Sequence, residues 1–321
     1  VTTPAALPFD LQLRADPRLA GWRGAVGTPL AEDVALGGNG TAPPGMLLIL
    51  AWNVWIGRGR LDELIAQLRA EHPLHLVVLA QEVFRKDDTI PRDATAYAAS
   101  DFSQRGFPER DIAALARELG LHLRYVPSMR NGAHRSDRGN AILSTLPLED
   151  TVAWELPFSY QRRVALAATV RLPDGRALRV CSAHLDPRGG SARDLLGVLG
   201  RGAQAQAVLE RLDETDDAPV LLAADLNLAR GRRERAFRIF ADAGFQHGVP
   251  ERPPDWAHTY HRMPRLLLDW VLVRDRVGVI AGLDIQRLDE EPLDRGPYVY
   301  GSDHHPLLAR VQLAPVEAGV R

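Results

Sequence analysis

Six apolar runs in this 321-residue chain end in, or lead into, amides, carboxylates and imidazoles. Leu-Leu-Ile-Leu-Ala-Trp ends in Asn53, His-Leu-Val-Val-Leu-Ala-Gln in Glu82, and Leu-Arg-Val-Cys-Ser-Ala in His184. Val-Leu-Leu-Ala-Ala delivers Asp225 and Asn227, Leu-Leu-Leu delivers Asp269, and Gly-Ser-Asp-His-His-Pro over 301–306 precedes the last apolar run. Taken singly, each has a plain structural explanation, since Asn and Asp cap helices and open turns and a lone His is commonly a hydrogen-bonded structural group. Recurrence at so many strand ends is more economically explained by one shared cleft. A Glu with Asn and Asp oxygens suits a hard divalent cation, whereas zinc favours His and Cys. Two histidines beside carboxylates suit proton transfer and stabilisation of charge on a phosphoryl group. Together these are the parts of metal-assisted phosphate-ester hydrolysis.

The elements that must position these residues are legible from periodicity. Residues 46–52 and 75–81 read as buried strands. Leu61, Leu64, Ile65 and Leu68, at spacings of three and four, predict an amphipathic helix between them. A helix is expected over 110–119, then strands near 121–126, 140–144, 164–171 and 178–183, the last two joined by a Pro173-Asp174-Gly175 hairpin turn. A helix over 192–213, a strand over 220–224, a helix over 234–243 stopped by Gly244, and strands over 267–273 and 306–312 complete the body. Hairpins and crossovers are mixed, which fits helix-covered sheets better than a doubly wound fold. Residues 84–109 are polar and irregular, and a connection this long is a candidate substrate-side loop. Residues 1–44 are rich in Gly and Pro and read as an arm packed loosely on a body spanning 45–321.

Composition sets limits. The 41 acidic and 39 basic residues leave a formal charge of −2, which argues against electrostatic coating of nucleic acid. Lys86 is the only lysine, so 38 of the basic residues are arginines; arginine suits phosphate, but a GC-rich coding sequence favouring Arg, Ala, Gly, Leu and Pro explains most of them. Cys181 is the only cysteine, so a disulfide scaffold and a Cys-based zinc site are both ruled out. No apolar run approaches the ~18 residues of a membrane span. The chain is expected to be soluble, cytoplasmic or secreted after removal of a signal, with its oligomeric state open. No G-x-G-x-x-G or Walker-type loop supports a nucleotide cofactor.

The ordered set of motifs resembles the endonuclease/exonuclease/phosphatase superfamily. It comprises Asn53 in AWNVW, Glu82 in LAQEVF, RGNAILS over 138–144, His184 in SAHLD, Asp225 and Asn227 in AADLN, Asp269 in LLLDWVLV, and SDHHP over 302–306. The resemblance spans Met46 to about Leu313. It implies an α/β fold, a four-layer α/β/β/α sandwich of two mixed sheets flanked by helices, with a metal-dependent phosphoesterase site at one end. Position by position, it implies that Glu82 binds Mg²⁺ or Mn²⁺ with Asn53, and that Asp303 lies near the metal. It further implies that Asp225 orients or deprotonates water and Asn227 holds a phosphate oxygen. His304, oriented by Asp269, would contact the phosphate, and His184 would be a second phosphate contact or a general acid. The pattern S-D-H-x-P selects His304 over His305. Asn140 would line the site, and Arg138 would reach phosphate.

For the substrate, a motif carrying the catalytic tyrosine of abasic-site endonucleases is not found, and no Pro-x-W-C-D-R-like element of 5-phosphatases precedes Asp269. Arg130, Arg135, Arg138 and the arginines over 230–235 flank predicted site strands, and Trp52, Trp55 and Trp256 could stack on bases, although a buried structural role competes for Trp52. The expectation is a phosphodiester hydrolase, with a nuclease acting on DNA or RNA favoured. The alternatives are a phosphomonoesterase or a sphingomyelinase or inositol-phosphate-type enzyme, and a non-catalytic binding scaffold.

Overall fold

The computed structural model describes residues 10–34, 45–93, 98–99, 109–132, 134–214, 217–248, 258–290 and 298–316. Two mixed sheets pack face to face with helices outside, the four-layer α/β/β/α sandwich. In chain order the strands and helices are β1 (Asp10–Gln12), α1 (Pro17–Arg23), β2 (Leu30–Glu32), β3 (Met46–Asn53), α2 (Leu61–Glu71), β4 (His75–Arg85), β5 (Ala98–Ala99), α3 (Ile112–Leu119), β6 (His122–Asn131), β7 (Asp137–Ser144), β8 (Leu148–Glu155), β9 (Val164–Arg171), β10 (Ala177–His184), α4 (Val198–Asp213), β11 (Val220–Asp225), α5 (Arg235–Asp242), β12 (Gln246–His247), β13 (Asp269–Arg274), β14 (Ile280–Arg287) and β15 (Leu307–Leu313). One sheet has the order β1-β8-β9-β10-β11-β13-β12; the other runs β14-β15-β3-β4-β7-β6-β2, with β5 pairing β6.

The apolar runs lack polar alternation because both faces of the central strands are covered. Along β3, Leu47, Ile49 and Ala51 enter the core between the sheets, while Leu48, Leu50 and Trp52 meet the apolar faces of α2 and α3. Along β11, Leu221 and Ala223 face the other sheet, while Leu222 and Ala224 pack with α4 and α5. Period two within each strand therefore feeds both of its covered faces. Cys181 lies on β10, fully buried, and burial pushes its thiol up to about 12.

Several boundaries depart from the sequence reading. Helix α4 starts at Val198, not at 192, because the Asp194 carboxylate stays outside the helix and accepts from Leu199 N (3.1 Å) and Gly200 N (2.8 Å), and Gly197 takes a left-handed conformation. Residues 10–34 are not loosely packed: β1 pairs with β8 and β2 with β6, extending each sheet by one edge strand, and Leu19 of α1 is fully buried. Segments of three residues carry no readable period, so only long-range pairing reveals them. Residues 84 and 85 belong to β4, and half of the expected substrate-side loop, 94–97 and 100–108, lies outside the described residues, as does Trp256.

Candidate active site

His184 closes β10, Asp225 closes β11 and Asp269 opens β13. The register sets His184 beside Asp225 and Asp225 beside Asp269, so three strands present a row of chemistry at one sheet edge. Asp269 was expected to end an apolar run; it instead begins a strand, and antiparallel pairing brings it to the same edge. Asp225 is fixed from three sides. Its Oδ2 lies 3.2 Å from His184 Nε2 and accepts from Asn53 Nδ2 at 3.0 Å, and its Oδ1 accepts from Asn227 N at 3.0 Å. Asn227 sits at φ 52° and donates one side-chain N–H to Leu185 O. The second sheet supplies the opposite wall. Strand β4 bulges between Ala80 and Val83, and Glu82 takes φ 54°, a conformation costly for a non-glycine residue and tolerated where the surroundings impose it. Gln81 holds the bulge from within, donating to Ser182 Oγ of the facing sheet at 3.0 Å. Glu82 is thereby turned into the cleft, with Arg138 Nη1 3.7 Å from its carboxylate.

Residues 302–304 are secured to the end of β3. Ser302 Oγ donates to Asn53 O (2.7 Å) and accepts from His304 N (3.1 Å), while Trp52 Nε1 donates to His304 O (2.7 Å). His304 Nδ1 then lies 2.7 Å from Asp269 Oδ2.

The resulting cleft encloses about 380 Å³ and is lined by eight of the ten expected residues, all but Asp269 and Asn140: Asn53, Glu82, Arg138, His184, Asp225, Asn227, Asp303 and His304. Asp269 stands directly behind His304. Asn140 is elsewhere: it lies buried between the sheets, where its Nδ2 donates to Val164 O (2.9 Å) and Ser182 O (3.3 Å). Sequence reasoning missed Arg163 and Tyr260, which also line the cleft. Arg163 precedes β9, whose start lies beside the end of β10 because the two strands are antiparallel; that hairpin was the signal available. Tyr260 pairs with His304 through an isolated bridge that no local pattern announces.

Burial, and then the nearby Asp269 charge, raises Asp225 to about 7. For His304 burial works the other way, but contact with Asp269, followed by Asp225 and Asp303, prevails and raises it to about 10. Burial, reinforced by Arg163, His304 and Arg138, holds His184 well below the ordinary histidine value. A protonated His304 and a neutral His184 therefore share one cleft. Burial also raises Asp303.

The donor chemistry fits a hard divalent cation at Glu82, Asn53 and Asp303, which offer oxygen only. Asp225, Asp269 and His304 also bring one donor atom each within 4.8 Å of one another, with His304 Nδ1 engaged by Asp269 Oδ2 at 2.7 Å.

A profile of the Endonuclease/Exonuclease/phosphatase family matches residues 50–304, and the chain belongs to this family. The family's members are hydrolases, metal-dependent phosphoesterases among them. Similar solved structures include an endonuclease/exonuclease/phosphatase from Beutenbergia cavernae (21% identity, 86% of this chain and 74% of that chain, TM-score 0.57). The human Nocturnin catalytic domain with bound sulfate is another (16% identity, 89% and 98%, TM-score 0.56), as is D. rerio TDP2 complexed with a single-strand DNA product (17% identity, 83% and 99%, TM-score 0.52). No curated protein matches the sequence significantly. Among the described residues no helix is long and apolar enough to cross a membrane.

Proposed function

We propose that the chain is a Mg²⁺- or Mn²⁺-dependent phosphodiester hydrolase, with a polynucleotide as the favoured substrate. The observation that carries this reading is the meeting of Asp225, the His304–Asp269 pair and the Glu82 carboxylate in one cleft whose guanidinium groups are those of Arg138 and Arg163. A divalent cation held by Glu82 with Asn53 and Asp303 would neutralise charge on a phosphoryl oxygen when bound. Asp225 takes the proton of an attacking water; its hydrogen bonds from Asn53 and Asn227 fix the rotation of the carboxylate. Protonated His304 faces the phosphoryl group and balances the charge that grows there. Neutral His184 has no extra proton to give, so of the two roles implied by the resemblance, phosphate contact and general acid, the first is retained, with its Nε2 3.2 Å from Asp225 Oδ2.

Support for a polynucleotide comes from the similar structure described with a single-strand DNA product. Support from aromatic stacking weakens, because Trp52 is fully buried and Trp55 is 7% exposed and stacked on Tyr298. Arg130 and Arg135 are also committed elsewhere, to Gly132 O and Asp88 respectively. Parallel assays of single-stranded and duplex DNA, RNA, sphingomyelin and inositol phosphates, with Mg²⁺, Mn²⁺ or chelator, test the proposal. Metal-dependent cleavage of oligonucleotides is expected; hydrolysis of the lipid or the inositol phosphates alone would transfer the assignment to that substrate, and no phosphodiester cleavage at all would end it.

A further inference from the structure

Behind the cleft, a short ladder joins the segment around Tyr260 to the segment carrying His304. His261 N donates to Asp303 O and His305 N donates to Thr259 O, both at 2.8 Å. Adjacent residues of extended chain face opposite sides. Tyr260 and His304 accordingly line the cleft, while His261 and His305 meet on the reverse side with ring centroids 4.9 Å apart. His258 joins them, 5.3 Å from the His305 ring. One donor atom from each of the three histidines lies within 4.8 Å of the others.

From this convergence we propose that His258, His261 and His305 form a second metal site, separate from the cleft, for a transition-metal ion of the Zn²⁺ class. Three imidazoles with no oxygen donor suit zinc and are a poor set for Mg²⁺ or Mn²⁺. His261 Nδ1 and His305 Nε2 are 2.9 Å apart. Two nitrogens bound to one tetrahedral zinc at about 2.0–2.1 Å stand roughly 3.3 Å from each other, so the pair needs to open by only about half an ångström. At His305 the tautomer suits ligation: Nδ1 lies 3.3 Å from Leu288 O and 2.8 Å from Asp289 Oδ1, which keeps its proton there and leaves the Nε2 lone pair to accept from His261 Nδ1–H; a bound ion would replace that proton, His261 keeping its own on Nε2. A carboxylate or carbonyl behind the ligating imidazole is the usual support of such sites. Arg287 is the adjacent cation, 3.3 Å from His258 Nε2, and Asp289 neutralises it at 2.7 and 2.8 Å. His258 is only partly buried, which gives the ion an entry and a water its fourth position. The bound ion would clamp together the two segments that present Tyr260 and His304 to the cleft.

The test is zinc content after exhaustive dialysis against a metal-buffered solution, measured by plasma mass spectrometry on the full chain, His258→Gln and Glu82→Gln. Wild type and Glu82→Gln are expected to retain one equivalent that His258→Gln loses. No retained zinc in wild type, or equal retention in His258→Gln, overturns the proposal. X-ray absorption of zinc-loaded wild type gives an answer that depends on no variant's folding. Three imidazoles around the ion are expected; two or fewer would overturn the assignment, because the cleft itself offers only His184 and His304.

Discussion

Asn53 Nδ2 donates to Asp225 Oδ2 at 3.0 Å although the two residues lie 172 positions apart and end strands of different sheets. The His304–Asp269 contact crosses between the same two walls. Each sheet therefore holds half of the cleft, and the contacts between the halves set the charge and orientation of Asp225 and His304.

Replacing Asp269 with Asn removes the main influence that keeps His304 protonated. The His304 value should fall from about 10 towards the ordinary histidine range, so the protonated form is lost at lower pH. The alkaline limb of the pH–rate profile is expected to move to lower pH, and kcat at neutral pH to drop by roughly 10²–10⁴. An unmoved alkaline limb would show that Asp269 does not govern the His304 charge.

Glu82→Gln should leave folding nearly intact, because the side chain faces the cleft with Arg138 at 3.7 Å, outside hydrogen-bonding range. Mg²⁺ or Mn²⁺ affinity should weaken by about tenfold or more, read by calorimetry or by the metal concentration needed for half-maximal activity. Unchanged metal affinity would remove Glu82 from the ligand set.

Asn140→Ala separates a substrate contact from a structural one. Its amide satisfies two buried carbonyls, so the variant should lose about 1–3 kcal/mol in denaturant unfolding. A variant of full stability with a raised KM would instead return Asn140 to phosphate binding.

Acid should weaken the attachment of residues 10–34. Burial opposes ionisation of Asp33, but hydrogen bonds from Arg124 and His122 prevail and hold its carboxyl below the ordinary value of 3.8. Its contribution is therefore complete above that value and is lost as pH falls through the lower folded value. Asp33 is 39% exposed, so the effect should stay under about 1 kcal/mol. Thermal melts of wild type and Asp33→Asn should differ near pH 6 and converge in acid; a constant gap would exclude the linkage.

The sequence discloses the residues that line the cleft more fully than the scaffold around it. Asn53, Glu82, His184 and Asp225 follow long apolar runs, and burial of both strand faces makes such runs easy to see. Strands β1 and β2 escaped the reading because they are three residues long and take their definition from partners distant in sequence, and β14 because it is half-exposed; β8 was missed because its Glu149, Asp150 and Thr151 interrupt the apolar run. Asn140 misled because strand periodicity cannot tell a cleft-facing amide from one facing the opposite sheet. The histidine cluster was equally hidden, since only the ladder between 259–261 and 303–305 brings its members together.

Gln81, Ser182 and Asn140 stitch the two sheets together immediately beneath the cleft. If the sheets part while each keeps its own strands, the two halves of the site separate with them. Catalysis should therefore vanish in any expanded state that retains its secondary structure, before far-ultraviolet circular dichroism changes. Turnover thus becomes a sensitive optical-free gauge of sheet docking, and stabilising this polar seam is a route to extending the working temperature without touching a reacting group.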